Sequence, residues 1–195
     1  MKNKIALSFI LFTLFASISF GQKHKTVLKA PKAWLTEIIP FPLGFAPSIP
    51  YKGYEDLRFA PNWSDSTHTN FWTYMFVWYI EKDVPVTTEI LTQYFNAYYN
   101  GLMRIDSRNE AQFKDNPLKH TVSTFEKTAT GFKGTMDVYD GFFTKQYMTL
   151  NIKVEEMFCP KKNKQIIRCD VSRQNFDHTV WQLFTQVKLK VKLRN

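Results

Sequence analysis

Residues 70–81 read Asn-Phe-Trp-Thr-Tyr-Met-Phe-Val-Trp-Tyr-Ile-Glu, and this stretch decides the fold. Most of its side chains are aromatic or β-branched, and such side chains fit the pleated surface of a sheet. Successive side chains of a strand point to opposite faces, so Trp72, Tyr74 and Trp78 share one face. The opposite face is equally apolar. The pattern therefore predicts a central strand whose two faces are both covered.

The chain after this strand has the pattern of one helix followed by antiparallel strands. Residues 88–100 carry an apolar stripe at helical spacing, with Thr87 or Thr88 as the N-cap and Gly101 as the stop. Residues 105–119 are polar and are expected to form a loop. Three further segments alternate between apolar and polar residues and are predicted to be strands with one dry face: residues 132–138, 148–154 and 167–171.

The chain before the central strand is unusual because it is rich in both proline and apolar residues. Residues 31–61 hold six of the nine prolines. Proline fixes φ and cannot donate a ladder hydrogen bond, which excludes a helix. The apolar content indicates a segment that is packed against the core. We expect an extended wrap with short strands at about 34–39 and 54–60.

The C-terminal segment supports two interpretations. Residues 178–187 fit a helix with Asp177 as a possible cap, whereas residues 187–193 alternate like a strand and stay undecided. The elements together predict an α+β domain over residues 34–195, with a twisted antiparallel sheet of about six to eight strands against one or two helices. The more specific prediction is a helix that packs on a curved sheet and leaves an internal cavity.

The N-terminal residues have the pattern of a cleaved export signal. Two lysines precede an apolar run over residues 5–20, and small residues precede the expected cut after Gly21. The run is shorter than the roughly 18–20 residues that span a bilayer; a retained N-terminal anchor is the alternative. No second long apolar run follows, so no membrane-spanning segment is expected after cleavage. We predict a signal peptide at 1–21, a flexible basic lead-in at 22–33, and a periplasmic or secreted location.

Charge and cysteine content bear on partners and compartment. The net charge of +9 contributes to solubility and also suits anionic envelope surfaces or polysaccharides, whereas nucleic acid is not an expected partner of an exported protein. Cys159 and Cys169 flank a turn, and an oxidising compartment favours a disulfide between them. Cys159 lies on the wet phase of its strand, so the bridge requires a β-bulge near Glu155 and Glu156. Two buried free thiols are the alternative.

Candidate catalytic groups are few. Asp65 with His68, and Asp177 with His178, place an acid beside an imidazole, as a hydrolase requires, although such clusters are also ordinary turn chemistry. The histidines have no metal-ligand spacing and no glycine-rich phosphate loop is present, so we predict no metal and no cofactor. Two acids, Glu37 and Glu81, lie on apolar strands, where burial would raise a pKa; water-exposed strand-edge acids are the alternative.

Aromatic residues provide the main functional indication. Four of them are candidates for the wall of a cavity that holds a sugar ring or a small apolar ligand: Trp34, Trp72, Tyr74 and Trp78. The alternative is that these rings build the core.

The segment Glu-Asp-Leu-Arg-Phe-Ala-Pro-Asn-Trp at 55–63, followed by the aromatic run at 71–79 and preceded by a signal ending in Ser-Phe-Gly-Gln, resembles uncharacterised exported proteins of Gram-negative bacteria. This resemblance implies a periplasmic or secreted single-domain protein and transfers no catalytic residue. The leading hypothesis is a non-catalytic exported domain that binds a ligand or the envelope. An exported hydrolase with an Asp/His pair and a structural envelope component are the alternatives.

Overall fold

The computed structural model describes residues 24–81 and 84–191, so the predicted signal peptide and its cut site lie outside the described residues. The described chain contains nine strands, two α-helices and two short 3₁₀ helices, at Pro160–Lys162 and Thr179–Gln186. The strands and α-helices in chain order are β1 (Leu28–Lys29), β2 (Leu35–Pro40), β3 (Gly53–Phe59), β4 (Tyr74–Glu81), α1 (Thr88–Leu102), α2 (Ile105–Ala111), β5 (Val122–Thr128), β6 (Gly131–Tyr139), β7 (Tyr147–Cys159), β8 (Lys164–Ser172) and β9 (Lys188–Leu189).

Seven strands form one antiparallel sheet in the order β2-β3-β4-β8-β7-β6-β5, and β1 pairs with β9 in a second, small sheet. The predicted α+β class with a twisted antiparallel sheet is confirmed. The predicted central strand is also confirmed, because β4 lies between β3 and β8 and is buried from Tyr74 to Ile80. It begins later than predicted, since Trp72 has a left-handed φ of 55° and interrupts the extended chain.

The two faces of the sheet are covered by different parts of the chain. On one face, aromatic rings of β4 pack against aromatic rings of α1. We call these rings the aromatic layer: Tyr74, Phe76, Trp78, Phe95, Tyr98 and Tyr99. On the other face lies the back cluster, which the N-terminal segment and the 3₁₀ helix at Thr179–Gln186 build mainly with β4: Val27, Leu28, Trp34, Met75, Val77, Tyr79, Cys159, Val180, Trp181 and Phe184. The two clusters explain why both faces of β4 are apolar.

Helix α1 begins as predicted, with the Thr87 hydroxyl accepting a hydrogen bond from the Ile90 N–H. It continues to Leu102, beyond the predicted stop at Gly101. This glycine serves another purpose, because the proline-rich wrap crosses the helix at this position. A Cβ on Gly101 would lie 1.6 Å from the Phe45 carbonyl oxygen. Close backbone approach is a common reason for a glycine inside an element.

Gly101→Ala is therefore expected to destabilise the protein by about 1–3 kcal/mol, the usual range for overpacking. Gly44→Ala in the same wrap is the matched control, since a Cβ at Gly44 meets no atom within 4 Å. Urea unfolding followed by circular dichroism measures both variants. Equal stability of the two variants would contradict the close packing of the wrap on α1.

The segment predicted as a loop at 105–119 contains helix α2. Its polar composition hides the helix, because only Ile105 is buried in it. The Arg108 guanidinium holds the helix in place by donating from Nε to the Met103 carbonyl and from Nη2 to the Gly141 carbonyl, each at 2.9 Å. Tertiary hydrogen bonds thus stabilise a helix that has no apolar stripe.

The C-terminal segment combines both interpretations of its sequence. A 3₁₀ helix covers Thr179–Gln186. Its N-cap is His178, not the predicted Asp177, and the His178 Nδ1 accepts a hydrogen bond from the Val180 N–H. Strand β9 then pairs with β1. The undecided stretch is therefore a short strand at its start, and residues 192–195 lie outside the described chain.

The predicted disulfide is wrong. Strands β7 and β8 pair without interruption from Asn151↔Ser172 to Cys159↔Lys164, so no bulge reverses the phase of Cys159. Cys169 lies opposite Val154 under α1, whereas Cys159 belongs to the back cluster on the other face. Five residues of strand separate them, about 16 Å, and a bridge needs Cα atoms within about 7 Å. Both are buried free thiols, because the back cluster covers the phase that the sequence predicted to be wet.

A buried ion pair attaches β1 to the back of β3. Asp56 Oδ2 accepts hydrogen bonds from the Thr26 hydroxyl at 2.7 Å, from the Val27 N–H at 2.8 Å and from the Leu28 N–H at 3.2 Å. Arg58 pairs with Asp56 and donates to the Leu28 carbonyl. Within the predicted lead-in at 22–33, Leu28–Lys29 thus form a strand, and residues 26–28 have buried polar partners.

Candidate functional site

The first predicted acid–histidine pair lies in an exposed turn. Asp65 accepts from the backbone N–H and the hydroxyl of Thr67, at 2.9 and 2.7 Å, and these hydrogen bonds lower the pKa of its carboxyl. His68 Nδ1 accepts from the Asn70 N–H at 3.0 Å. Each side chain thus stabilises its local turn. The two residues are joined by a backbone hydrogen bond from the His68 N–H to the Asp65 carbonyl at 3.0 Å, and the structure gives no hydrogen bond between their side chains.

The second predicted pair is not assembled either. Asp177 is exposed, and His178 uses Nδ1 to cap the following 3₁₀ helix. The structure instead brings together His120 Nε2 and Asp106 Oδ1 at 2.6 Å, a pair that the sequence did not indicate. Their side chains are 57% and 76% exposed, so water screens this pair.

The four predicted ligand-binding aromatics lie on both sides of the sheet. Trp72, Tyr74 and Trp78 belong to the cluster under α1, whereas Trp34 packs on Phe184 in the back cluster with ring centroids 6.5 Å apart. They cannot line one pocket together. Trp78 is fully buried and Trp72 is 2% exposed, so these two rings are part of the core.

A glutamate that the sequence did not single out lies at the edge of the aromatic layer. Glu55 on β3 is fully buried opposite Trp78 on β4. Its Oε1 accepts hydrogen bonds from the Tyr98 hydroxyl at 3.1 Å and from the Trp78 indole N–H at 3.3 Å. Its Oε2 has no hydrogen-bond partner. The only other buried side-chain polar atoms without partners in the described chain are the Trp72 indole nitrogen and the Thr121 hydroxyl.

The surroundings of Glu55 favour its neutral form. Burial raises the pKa of Glu55 to about 8, while the hydrogen bonds from Tyr98 and Trp78 act in the opposite direction. The charge of Glu37, an exposed residue of β2, raises the pKa of Glu55 further. No ion pair to Glu55 is found in the part of the chain that the structure describes. Near neutral pH the group is therefore mostly a carboxylic acid.

Aromatic rings connect Glu55 to the surface. Tyr51 stands edge-on to Trp78 at 5.4 Å and to Tyr94 at 5.3 Å, and Phe41 lies edge-on to Trp78 at 6.1 Å. Phe41 and Tyr94 are half-buried and mark the outer rim. We call Glu55 with these rings the Glu55 site: Glu55, Phe41, Tyr51, Trp78, Tyr94 and Tyr98.

The sequence around Glu55 carries two opposed indications. In the stretch 53–59, the residues in phase with Glu55 include Leu57 and Phe59, whereas the opposite phase carries Asp56 and Arg58. The strongly charged opposite phase suggests an exposed face. The structure shows instead that both phases are buried, because Asp56 and Arg58 satisfy each other and the N-terminal segment.

A second feature is a shallow groove on the side of the sheet opposite α1. The groove is lined by residues of β5 and β6 and by one ring from the loop after β8: Thr124, Phe125, Glu126, Lys133, Gly134, Thr135 and Phe176. It lies beside the back cluster, where the cover over the sheet ends.

The comparisons with known proteins give no assignment: no family model matches the chain, and no curated protein and no solved structure is significantly similar to it. Within residues 24–81 and 84–191, no group of three or more His, Cys, Asp or Glu side chains is arranged to hold a metal ion. In the same ranges, no helix has both the length and the apolar composition needed to cross a membrane.

Proposed function

We propose that this protein is an exported, non-catalytic binding domain, and that the Glu55 site binds a small ligand carrying a protonated primary or secondary amine. The observation that carries the proposal is the unpartnered Oε2 of a fully buried carboxyl group. Export is supported by the signal pattern at residues 1–21 and by the resemblance to exported bacterial proteins.

The energetic cost of Glu55 supports a functional role. A buried polar atom without a partner costs about 1–3 kcal/mol. A leucine or glutamine at this position would avoid burying an ionisable group. Native proteins keep few buried polar atoms without a hydrogen-bond partner, and each one calls for an explanation. Costly buried groups with shifted pKa values concentrate at functional sites.

The chemistry around Glu55 suits an amine. An ammonium N–H would satisfy Oε2 and supply the positive charge that the ionised carboxylate lacks. The Tyr51 and Tyr94 rings, which lie next to Trp78 toward the rim, attract cations through their ring quadrupoles. The rings of Tyr51 and Tyr94 are in contact at 5.3 Å, so entry at the rim requires the rings to separate.

The decisive experiment is calorimetric titration with a panel of alkyl and aryl amines in buffers of different ionisation enthalpy. An ammonium ion binds the ionised form of Glu55, which is mostly protonated at pH 7. Binding is therefore expected to release roughly one proton per ligand, and the affinity is expected to rise about tenfold from pH 6 to pH 7. A neutral ligand of the same shape would show neither effect.

Glu55→Gln is the test variant, because it keeps the shape and removes the titration. It is expected to weaken amine binding at least tenfold and to abolish proton release. Glu110→Gln on the exposed side of α2 is the matched control and is expected to bind as the unmodified chain does. Unchanged binding in Glu55→Gln, or the absence of binding by every amine, would contradict the proposal.

A further inference from the structure

A second acid lies in the same row of the sheet as Glu55. Glu55 on β3 is opposite Trp78 on β4, and Trp78 is opposite Ile167 on β8. Ile167 is in turn opposite Glu156 on β7. Residues that are directly opposite each other in a sheet share a face, so both glutamates are on the side that carries α1. Three strand spacings separate their backbones, about 14 Å.

A buried amide fixes the Glu156 carboxylate. Gln165 Nε2 donates hydrogen bonds to Glu156 Oε1 at 2.6 Å and to the Val84 carbonyl at 2.7 Å. The Val84 N–H donates to Gln165 Oε1 at 3.0 Å, so the amide is held at both ends. Gln165 is 4% exposed, whereas Glu156 is exposed. Immobilising a glutamate costs side-chain entropy, and here that cost is met in the folded protein before any ligand binds.

Tyr51 connects the two acids. Its ring stands edge-on to Trp78 at 5.4 Å and to Tyr94 at 5.3 Å. Burial raises the pKa of the Tyr51 hydroxyl well above its ordinary value, and the nearby Tyr94, Cys169 and Glu156 raise it further. The ring at the rim of the Glu55 site is therefore also within the electrostatic reach of Glu156.

We propose that the ligand of the Glu55 site is a linear diamine, with its inner ammonium group on Glu55 and its outer ammonium group on Glu156. This inference rests on the proposed function and names the class of amine that the site takes. Within residues 24–81 and 84–191, no lysine or arginine forms an ion pair with either acid. The second ammonium group would meet a carboxylate that is already in position, which favours binding.

The spacing of the two acids sets the length of the ligand. After one ion-pair distance at each end, the two nitrogens are expected to lie roughly 8–11 Å apart. The hydrocarbon chain between them passes the rings of Tyr51 and Tyr94, where an apolar chain is favoured over a polar one. A short diamine cannot reach Glu156 and is expected to bind as a monoamine does.

The test compares straight diamines of increasing length with monoamines of the same length by calorimetric titration. We expect the diamine to bind about three- to fivefold more tightly once its nitrogens are roughly 8 Å apart, as one ion pair at the surface provides. NMR supplies a second readout, because the side-chain amide of Gln165 is bonded to Glu156. Its signal is expected to shift with the long diamine and to keep its position with the monoamine.

Three variants locate the outer ammonium group. Glu156→Gln is expected to weaken the long diamine about three- to fivefold more than the monoamine. Glu155→Gln, at the adjacent exposed position on the opposite face of β7, is the matched control and is expected to leave the ratio of the two affinities unchanged. Glu37→Gln removes the other acid whose charge reaches Glu55, and it is expected to weaken both ligands by the same factor. Each ligand is compared with itself across the variants, which cancels the statistical advantage of a ligand with two equal ends.

The outcomes separate this inference from the proposed function. Equal effects of Glu156→Gln on the long diamine and the monoamine, with both ligands lost in Glu55→Gln, would overturn the inference and leave the amine site intact. A diamine preference that disappears in Glu37→Gln and persists in Glu156→Gln would place the outer ammonium group at β2 and would also overturn it. Binding of no amine of either kind would remove both the inference and the proposed function.

Discussion

Replacing Asp56 with alanine is expected to lower the free energy of unfolding by about 3–5 kcal/mol, because it leaves the Arg58 guanidinium buried without its counter-charge. The side chains of Arg58 and Asp56 are only 4% and 0% exposed. The same change removes the acceptor of the Val27 N–H, and the Leu28 N–H and the Thr26 hydroxyl each lose one of two hydrogen-bond partners. Both effects weaken the attachment of β1 to β3.

Urea unfolding measures the loss, and hydrogen exchange of the Val27 and Leu28 amides locates it. Asp115→Ala, at an exposed position between α2 and β5, is the matched control and is expected to change stability by less than about 0.5 kcal/mol. Combining Asp56→Ala with Arg58→Met is expected to recover most of the loss, since apolar replacements of a buried ion pair are often tolerated. A loss below about 1 kcal/mol in Asp56→Ala would contradict the structural role of the pair.

The elements with a regular apolar pattern were predictable from the sequence. The stretch 70–81 indicated a central strand because its apolar side chains occupy both phases, and the structure covers both faces of β4. The stripe of α1 and the alternation in β6, β7 and β8 indicated one helix over one sheet for the same reason. In each case the apolar pattern indicates which faces of the helix or strand are buried.

The elements that depend on distant contacts were not predictable in this way. Cys159 lies on a phase that is polar along most of β7, and only the back cluster, assembled from both ends of the chain, makes its position dry. The strand β1 is two residues long, and Asp56 and β9 stabilise it from far away in the sequence. Local composition carries no information about such partners.

The candidate site shows the same division. Trp78 and Tyr74 stood out in the sequence, and both lie in the aromatic layer. Glu55 did not stand out, because its neighbours Asp56 and Arg58 are also charged and nothing in the sequence distinguished the three. The pairing of Asp56 with Arg58 inside the protein depends on the tertiary structure, and it allows a strand with three charged positions to be buried on both faces. The feature on which the proposed amine site rests therefore required the structure.

The buried Glu55 gives the protein an unusual dependence of stability on pH. Its pKa in the folded state is raised to about 8, whereas in the unfolded chain it takes the ordinary value of about 4.3. The unfolded state therefore loses its proton first as the pH rises. Between these two values the folded state binds more protons than the unfolded state, so this group makes stability fall with increasing pH.

We expect Glu55 to reduce the free energy of unfolding by about 3–5 kcal/mol between pH 4.5 and pH 8.5. The quantity to measure is the difference between the unmodified chain and Glu55→Gln, from urea unfolding at half-unit steps of pH. Other titrating groups, including Asp170, whose pKa is also raised by burial, cancel in this difference.

The expected difference curve is flat below about pH 4, changes steadily up to about pH 8 in favour of Glu55→Gln, and is flat above. Glu110→Gln, exposed on α2, is expected to give a difference near zero throughout. A saturating amine should flatten the curve of the unmodified chain, because the bound cation stabilises the ionised carboxylate that burial otherwise disfavours. A difference curve that stays flat from pH 4.5 to pH 8.5 would mean that Glu55 ionises freely in the folded protein, and the proposed amine site would lose its basis with it.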